Sequence, residues 1–427
     1  MIPQYSHQGA RDALMLRTPL GTRDYALEDA EAYSRIEGEL ERTFQLWGYR
    51  EVRTPCLESL EVFSGTVGPS AVDRAFKFQD YDGKLLALRV EGTAPTARLF
   101  AASLMNEPRP CRLFYIAKAF RFAADFPGDY REFSQAGAEL IGSGDPSSDA
   151  EVMALSIEAL KGLGLRPRVD LGHANLMREV ISSYLGEPDR GRALDLLRRR
   201  DLGGILNLFK ERGLSRDAYD SIAKLLRCRR ADEFLAMDLP IANEGMRDML
   251  RGFSKVIEEA EEYGVGDGLF LDFSLIRDLE YYTGAVFEIS IEGLGMPVGG
   301  GGRYDGLIGK FCGANVPAVG FALNNNRLME AMGPGSAKGD RRKRFAIRSK
   351  NKGEAMRIAR TLRGRGFAAV VSLESDCSMS KGPDLEGFDY LIVPGSGGLV
   401  RVMDLRDGSI RSSTLEELLG ELGEGGL

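Results

Sequence analysis

Segments with the two-residue alternation of β-strands lie on both sides of a stretch, from about residue 173 to 251, in which nearly everything reads as helix. That order constrains the fold more than any other feature, because it implies two sheet-forming halves separated by a helical insertion at about 185–255. Before the insertion, Tyr33, Ile36, Leu40, Phe44 and Trp47 recur at three- and four-residue spacing, which predicts a core helix stopped at Gly48. Strands are expected over 49–54, 84–90, 112–122, 132–142 and 168–172, with a helix over 148–163. After the insertion, strands are expected over 269–273 and 285–291. The run Pro297 to Gly302 reads as a glycine-rich tight turn, and 325–332 as a helix.

Gly333-Pro334-Gly335-Ser336-Ala337-Lys338-Gly339 is the clearest linker in the chain. It divides a core over 1–332 from a domain over 341–427, with 333–340 between them. In a chain of 427 residues, at roughly 150 per domain, such a division is expected. The tail reads as a small α/β module, with strands over 344–348, 368–373, 390–393 and 400–404 and a helix over 352–365. The capping-box pattern Ser413-Thr414-Leu415-Glu416 opens a last helix. Charge follows the same division. The whole chain carries −7, which does not describe a general polyanion binder, yet residues 338–367 hold 12 Lys/Arg against Asp340 and Glu354. This basic stretch reads as a solvated face, with a weak nucleic-acid or subunit contact as the other reading.

Five cysteines, Cys56, Cys111, Cys228, Cys312 and Cys377, are scattered and never paired as C-x-x-C, which points to a reducing cytoplasm. Two histidines and no cysteine cluster leave no material for a structural zinc site. No run of about 18 apolar residues predicts a membrane span.

Three polar patches stand out against the strands. The first is Leu88-Arg89-Val90-Glu91-Gly92-Thr93. The second is Phe120-Arg121, followed by Tyr130 to Gln135 and Glu139. The third runs from Arg277 through Tyr281-Tyr282-Thr283-Gly284 and Gly301-Gly302-Arg303-Tyr304-Asp305-Gly306 to Gly320-Phe321 and Arg327. Gln135 and Glu139 share one face of a strand, and Arg121 starts its neighbour in a hairpin. Arg, Gln and Glu on a buried sheet face need partners, because unpaired charge there is costly. An internal Arg/Glu network and a polar ligand both satisfy that need. Taken alone, Tyr281-Tyr282 reads as core packing and His173 as a structural or capping residue.

In order and spacing, over about residues 15–332, these patches resemble the catalytic core of histidyl-tRNA synthetases. Gly21-Thr22-Arg23-Asp24, the helix into Gly48-Tyr49 and Pro55 are similar to that family's entry segment and dimer motif. Arg121 matches its motif 2 arginine. The Arg277 segment and Gly301 to Leu307 match its two histidine-specific motifs. The resemblance implies an α+β fold, a class II aminoacyl-tRNA synthetase-like antiparallel sheet flanked by helices, with a helical insertion and a small C-terminal α/β domain. It also implies a histidine site: Glu91, Thr93 and Gln135 around the ammonium, Glu139 and Tyr282 at the imidazole, Arg121 and Arg277 near the carboxylate, and Tyr304 lining the pocket. The chemistry is coherent, since carboxylates suit an ammonium and arginines a carboxylate.

Two paralogous classes share this core: the synthetase, and the catalytically silent regulatory subunit of ATP phosphoribosyltransferase. The nucleotide side separates them. Ala123 stands where the synthetase pattern has glutamate, and Asp129 where it has a phosphate-binding arginine. Asp278 and Glu280 replace Gly and Asp, and Asn324 and Asn326 replace Gly and an acid. One charge reversal beside a triphosphate alters the interaction by two unit charges, each worth roughly 3 kcal/mol at about 5 Å and an effective dielectric near 20. The segments 169–173 and 193–202 also resemble the regulatory class. The tail resembles a shortened anticodon-binding domain, which many regulatory subunits lack, and it keeps histidyl-tRNA synthetase as the alternative. The expectation is a non-catalytic, cytoplasmic, histidine-sensing subunit without cofactor. It would be a homodimer through the Trp47 to Pro55 region and would partner a short-form ATP phosphoribosyltransferase catalytic subunit, with tRNA a partner only in the alternative reading.

Overall fold

The computed structural model describes residues 16–122, 130–237, 244–275, 281–333, 343–373 and 377–422. The linker over 334–342 lies outside them. The chain divides into two units, Met1–Pro334 and Gly335–Leu427.

Helix α1 (Glu28–Leu46) buries Tyr33, Ile36, Leu40 and Phe44 along one stripe, the face its periodicity predicts. The chain then builds β1 (Arg50–Glu51), β2 (Leu57–Ser59), β3 (Lys77–Gln79), β4 (Leu85–Leu88), β5 (Cys111–Phe120) and β6 (Glu132–Ile141). Helix α2 (Thr93–Leu99) follows β4. Helix α3 (Pro146–Gly162) is capped by Asp145, whose side chain accepts from Ser147 N, and leads into β7 (Pro167–His173). Four of the helices that fill the interval before β8 (Leu269–Leu271) are α4 (Leu176–Tyr184), α5 (Asp189–Arg198), α6 (Leu202–Glu211) and α7 (Arg216–Arg227); α8 (Glu244–Glu262) comes last. The unit closes with β9 (Ala285–Ile291), β10 (Gly299–Arg303), β11 (Ala318–Asn324) and α9 (Asn325–Met332).

Eight strands form the main sheet in the order β1-β5-β6-β11-β10-β9-β7-β8. The end pairs β1/β5 and β7/β8 are parallel, and every pair between them is antiparallel. Strands from before and after the helical stretch therefore sit side by side, giving the antiparallel class II-like sheet that the resemblance implies. The insertion is not a separate body. Ile205, Phe209, Leu226 and Phe253 share one continuous core with Leu171, Phe287 and Ile289 of the sheet. A second sheet, β2-β4-β3, has two strands of three residues each, too short to carry a sequence pattern.

The expected turn over 297–302 is corrected: Gly299–Arg303 is β10, inside the sheet between β9 and β11. Its glycines answer to close neighbours. A Cβ on Gly299 would lie 2.5 Å from the Ala322 carbonyl, and one on Gly301 would run into that of Gly320. Gly302 has φ 156°, which side-chain-bearing residues rarely adopt.

The second unit is a mixed sheet, β13 (Ala368–Val371), β12 (Arg344–Ile347), β14 (Tyr390–Pro394), β15 (Leu399–Asp404) and β16 (Ile410–Thr414) in that order. Helix α10 (Lys352–Gly364) packs Ala355, Ile358 and Leu362 into its core. The capping box before α11 (Leu415–Leu422) is also corrected. Thr414 Oγ1 accepts from Glu417 N at 3.1 Å while Glu417 accepts from Thr414 N at 2.9 Å, one residue later than Ser413 and Glu416. Thr414 is the last residue of β16, whereas Ser413, one residue deeper in the strand, pairs with Val400 and turns its hydroxyl to the Thr414 carbonyl at 3.0 Å. Among the described residues, no helix is long and apolar enough to cross a membrane.

Candidate functional site

A cavity of about 180 Å³ opens on the sheet where β6, β11, β10 and β9 run side by side. Glu91, Thr93, Arg121, Gln135, Tyr282 and Tyr304 line it, with Tyr281, Glu288 and Arg327.

Glu91 lies between β4 and α2. Its carboxylate accepts from Thr93 N at 2.6 Å and Ala94 N at 2.8 Å, so it caps α2 while facing the cavity. The side-chain amide oxygen of Gln135, on β6, accepts from Gly92 N at 3.1 Å, tying the same loop to the sheet. Beneath the loop lies the Tyr115 ring, and only glycine at 92 and 137 leaves room for it.

Glu139, four residues along β6 from Gln135, is 1% exposed and lies behind the cavity wall. Thr93 Oγ1 donates to one of its oxygens at 2.8 Å, and the Tyr304 hydroxyl bonds to the other. Burial pushes the Glu139 carboxyl up to about 8; the hydrogen bonds from Tyr304 and Thr93 oppose the rise, and the Glu91 charge adds to it. Burial also raises Glu91, against its backbone hydrogen bonds. The cavity thus joins two acids of raised affinity for protons to an amide and a hydroxyl network. Of the two arginines that line the cavity, Arg121 lies 4.7 Å over the Phe133 ring, and Arg327 donates to the Pro297 carbonyl at 2.7 Å. Such a site suits a ligand that carries both a cationic and an anionic group.

Seven of the eight expected histidine-site residues are therefore in or directly behind one cavity: six line it, and Glu139 bonds to two of them. Arg277, with Asp278, Glu280, Ala123 and Asp129, lies outside the described residues. The two asparagines expected at a nucleotide side, Asn324 and Asn326, have structural partners. Asn324 caps α9 through Arg327 N. The Asn326 side chain accepts from the Tyr33 hydroxyl at 3.0 Å and Ser134 N at 3.1 Å, and donates to the Tyr25 hydroxyl at 2.9 Å. Arg303 also serves structure, binding buried Asp149 and the carbonyls of Ser143 and Asp145. His173 Nδ1 accepts from Asn175 N and Leu176 N at 3.2 Å each, and burial lowers it to about 4, so it is the cap of α4.

The sequence reading missed Glu288. It is the one acid in the apolar run Ala285–Ile291, and that isolation was the available signal. Among the described residues, no group of three or more His, Cys, Asp or Glu could hold a metal ion.

A family model described as histidyl-tRNA synthetase matches residues 21–328. The ATP phosphoribosyltransferase regulatory subunit of Moorella thermoacetica is 36% identical over 371 residues, 85% of this chain and 93% of that protein. The histidine–tRNA ligase of Archaeoglobus fulgidus is 34% identical over 364 residues, 84% of this chain and 86% of that one. A crystal structure described as an ATP phosphoribosyltransferase regulatory subunit/histidyl-tRNA synthetase from Bacillus halodurans has a TM-score of 0.77 at 31% identity, covering 89% of this chain and 98% of that chain. Sheet order, cavity and these matches agree, and the chain belongs to the family that unites histidyl-tRNA synthetases with ATP phosphoribosyltransferase regulatory subunits.

Proposed function

We propose that this chain is the non-catalytic regulatory subunit of ATP phosphoribosyltransferase, the enzyme of the first step of histidine biosynthesis, and that it senses L-histidine. The observation that carries the reading is the gathering of seven of the eight expected histidine-site residues in or behind one cavity, beside an Asn326 whose side chain is taken up by structural partners. The network Gln135–Gly92, Thr93–Glu139–Tyr304 supports recognition of histidine, while Asn326 is spent on Tyr25, Tyr33 and Ser134. Relatives from Moorella thermoacetica and two Geobacter species, at 32–36% identity over most of this chain, bear the regulatory name.

In this reading Glu91, Thr93 and Gln135 receive the ammonium group. Tyr282 meets the imidazole from the cavity wall, and Glu139, expected there too, acts on it from behind through Thr93 and Tyr304; the ring's two distinct nitrogens need two directional partners. Arg121 and Arg277 hold the carboxylate, and Tyr304 closes the wall. A pocket that recognises a metabolite without reacting with it acts by binding two states of an assembly unequally. The partner is a short-form ATP phosphoribosyltransferase catalytic subunit. The subunit itself is a homodimer through the Trp47 to Pro55 region, where β1 forms one edge of the main sheet. Five free, scattered cysteines fit a reducing cytoplasm.

Reconstitution tests this. The purified chain and a short-form catalytic subunit are mixed, sized, and assayed for phosphoribosyl-ATP with and without histidine. A hetero-oligomer with raised activity and inhibition by histidine is expected. No complex, or activity and histidine response unaffected by this chain, refutes the reading; charging of tRNA with histidine would establish the synthetase instead.

A further inference from the structure

Arg200 stands at the turn between α5 and α6, in the left-handed region at φ 55°, which residues with side chains rarely adopt. Asp201 fixes the same turn by accepting from Gly204 N at 2.8 Å. From there the Arg200 guanidinium reaches the main sheet. One nitrogen donates to Glu288 at 2.9 Å, and another lies 3.4 Å from Asp272. One of these acids bears on the cavity. Glu288 lines it on β9, directly across from Gly300 on β10. Asp272, outside the cavity lining, accepts from the backbone and hydroxyl of Ser274 and so fixes the chain just after β8.

Electrostatics gives Arg200 a reason to be there. Glu288 is the register partner of Asp170 on β7, and directly opposed like charges are unfavourable. Arg168 meets Asp170 at 2.7 Å, and Arg200 meets Glu288. A backbone bond from Leu271 N to the Arg229 carbonyl, 2.9 Å, joins the insertion to the sheet one residue before Asp272.

We infer that Arg200 is a positioning residue coupling the helical insertion to the ligand cavity: it holds Glu288 and Asp272 in place, so that ligand occupancy and the packing of α5 and α6 favour one another. By reciprocity, whatever tightens the insertion tightens the ligand. The inference rests on the cavity's reading as a histidine site, and its test separates the two.

Amide hydrogen exchange of the full chain is followed with and without saturating L-histidine, alongside calorimetry, for wild type, Arg200→Ala, Arg200→Lys and Glu288→Gln. In wild type, histidine should slow exchange across residues 189–211. R200A should bind histidine about two- to fivefold more weakly, the range of an exposed ion pair, and should lose the slowing even when saturated. R200K should restore part of it, which a general loss of stability would not. If R200A does not fold, E288Q must show the same loss. Histidine binding without slowing in wild type, or slowing retained in R200A or E288Q, overturns the coupling alone. Absence of histidine binding to wild type overturns the coupling together with the site.

Discussion

The Glu139 carboxylate occupies the space that a side chain on Gly320 would fill. The two residues are register partners on β6 and β11, and an added Cβ on Gly320 would collide with Glu139 Oε2 and press on the Ala138 carbonyl. One missing side chain therefore makes room for the acid that Tyr304 and Thr93 hold behind the cavity.

Gly320→Ala should accordingly destabilise the chain by about 1–3 kcal/mol through overpacking and weaken histidine binding more than about tenfold. Glu139→Ala in the same chain should recover much of the stability without recovering binding. Urea unfolding and calorimetry on the two single variants and the double variant measure this coupling. Additive effects on stability would show that the two side chains do not compete for the space.

The Glu139 carboxyl, raised to about 8, gives stability a definite pH dependence. Between the ordinary carboxyl value and 8, the folded chain retains a proton that the unfolded chain has released, so stability from this group falls as pH rises through that window. Relative to Glu139→Gln, the wild type without ligand should lose on the order of 4 kcal/mol between pH 4.5 and 8, at 1.36 kcal/mol per unit. Parallel pH profiles for the two proteins would contradict the raised value.

Arg303 lies in the glycine-rich motif, yet its partner is Asp149 on α3, and both are buried. Arg303→Ala should cost about 3–5 kcal/mol by denaturant unfolding, because it strands a buried carboxylate. Burial already holds Asp149 up at about 6, so the variant should be least impaired in acid, where that carboxyl is neutral. A near-neutral change would mean that water reaches Asp149 in the folded chain.

If the nucleotide side is spent on structure, histidine should support no exchange of pyrophosphate into ATP. Asn326→Ala should lower stability by about 1–3 kcal/mol, the cost of leaving buried partners unsatisfied, and should not create exchange. Histidine-dependent exchange at the rate of an active synthetase would require a functional nucleotide site.

Local pattern alone determined the helix over Tyr33, Ile36, Leu40 and Phe44, the β5–β6 hairpin that sets Gln135 and Glu139 on one face, and the interruption of two sheet-forming halves by helices, because a period of 3.6 or 2 is written in neighbouring residues. Motif resemblance brought Glu91, Thr93, Arg121, Gln135, Tyr282 and Tyr304 toward one site. What the sequence could not carry depended on partners distant along the chain. Gly299–Arg303 is a strand because Ala322, Gly320 and Ala285 crowd it from β11 and β9, and without those neighbours a glycine run has the local character of a turn. The cap of α11 moved from Ser413 to Thr414 because β16 pairs with β15 as far as Thr414, its last residue, and the helix starts only where that pairing ends. Glu288 entered the cavity wall, and Arg200 came within reach of it, through strand register and the docking of the insertion, which join residues 88 positions apart. Such contacts arise only when the chain closes on itself, and the physical fit of backbone against backbone then decides which side chains share a site.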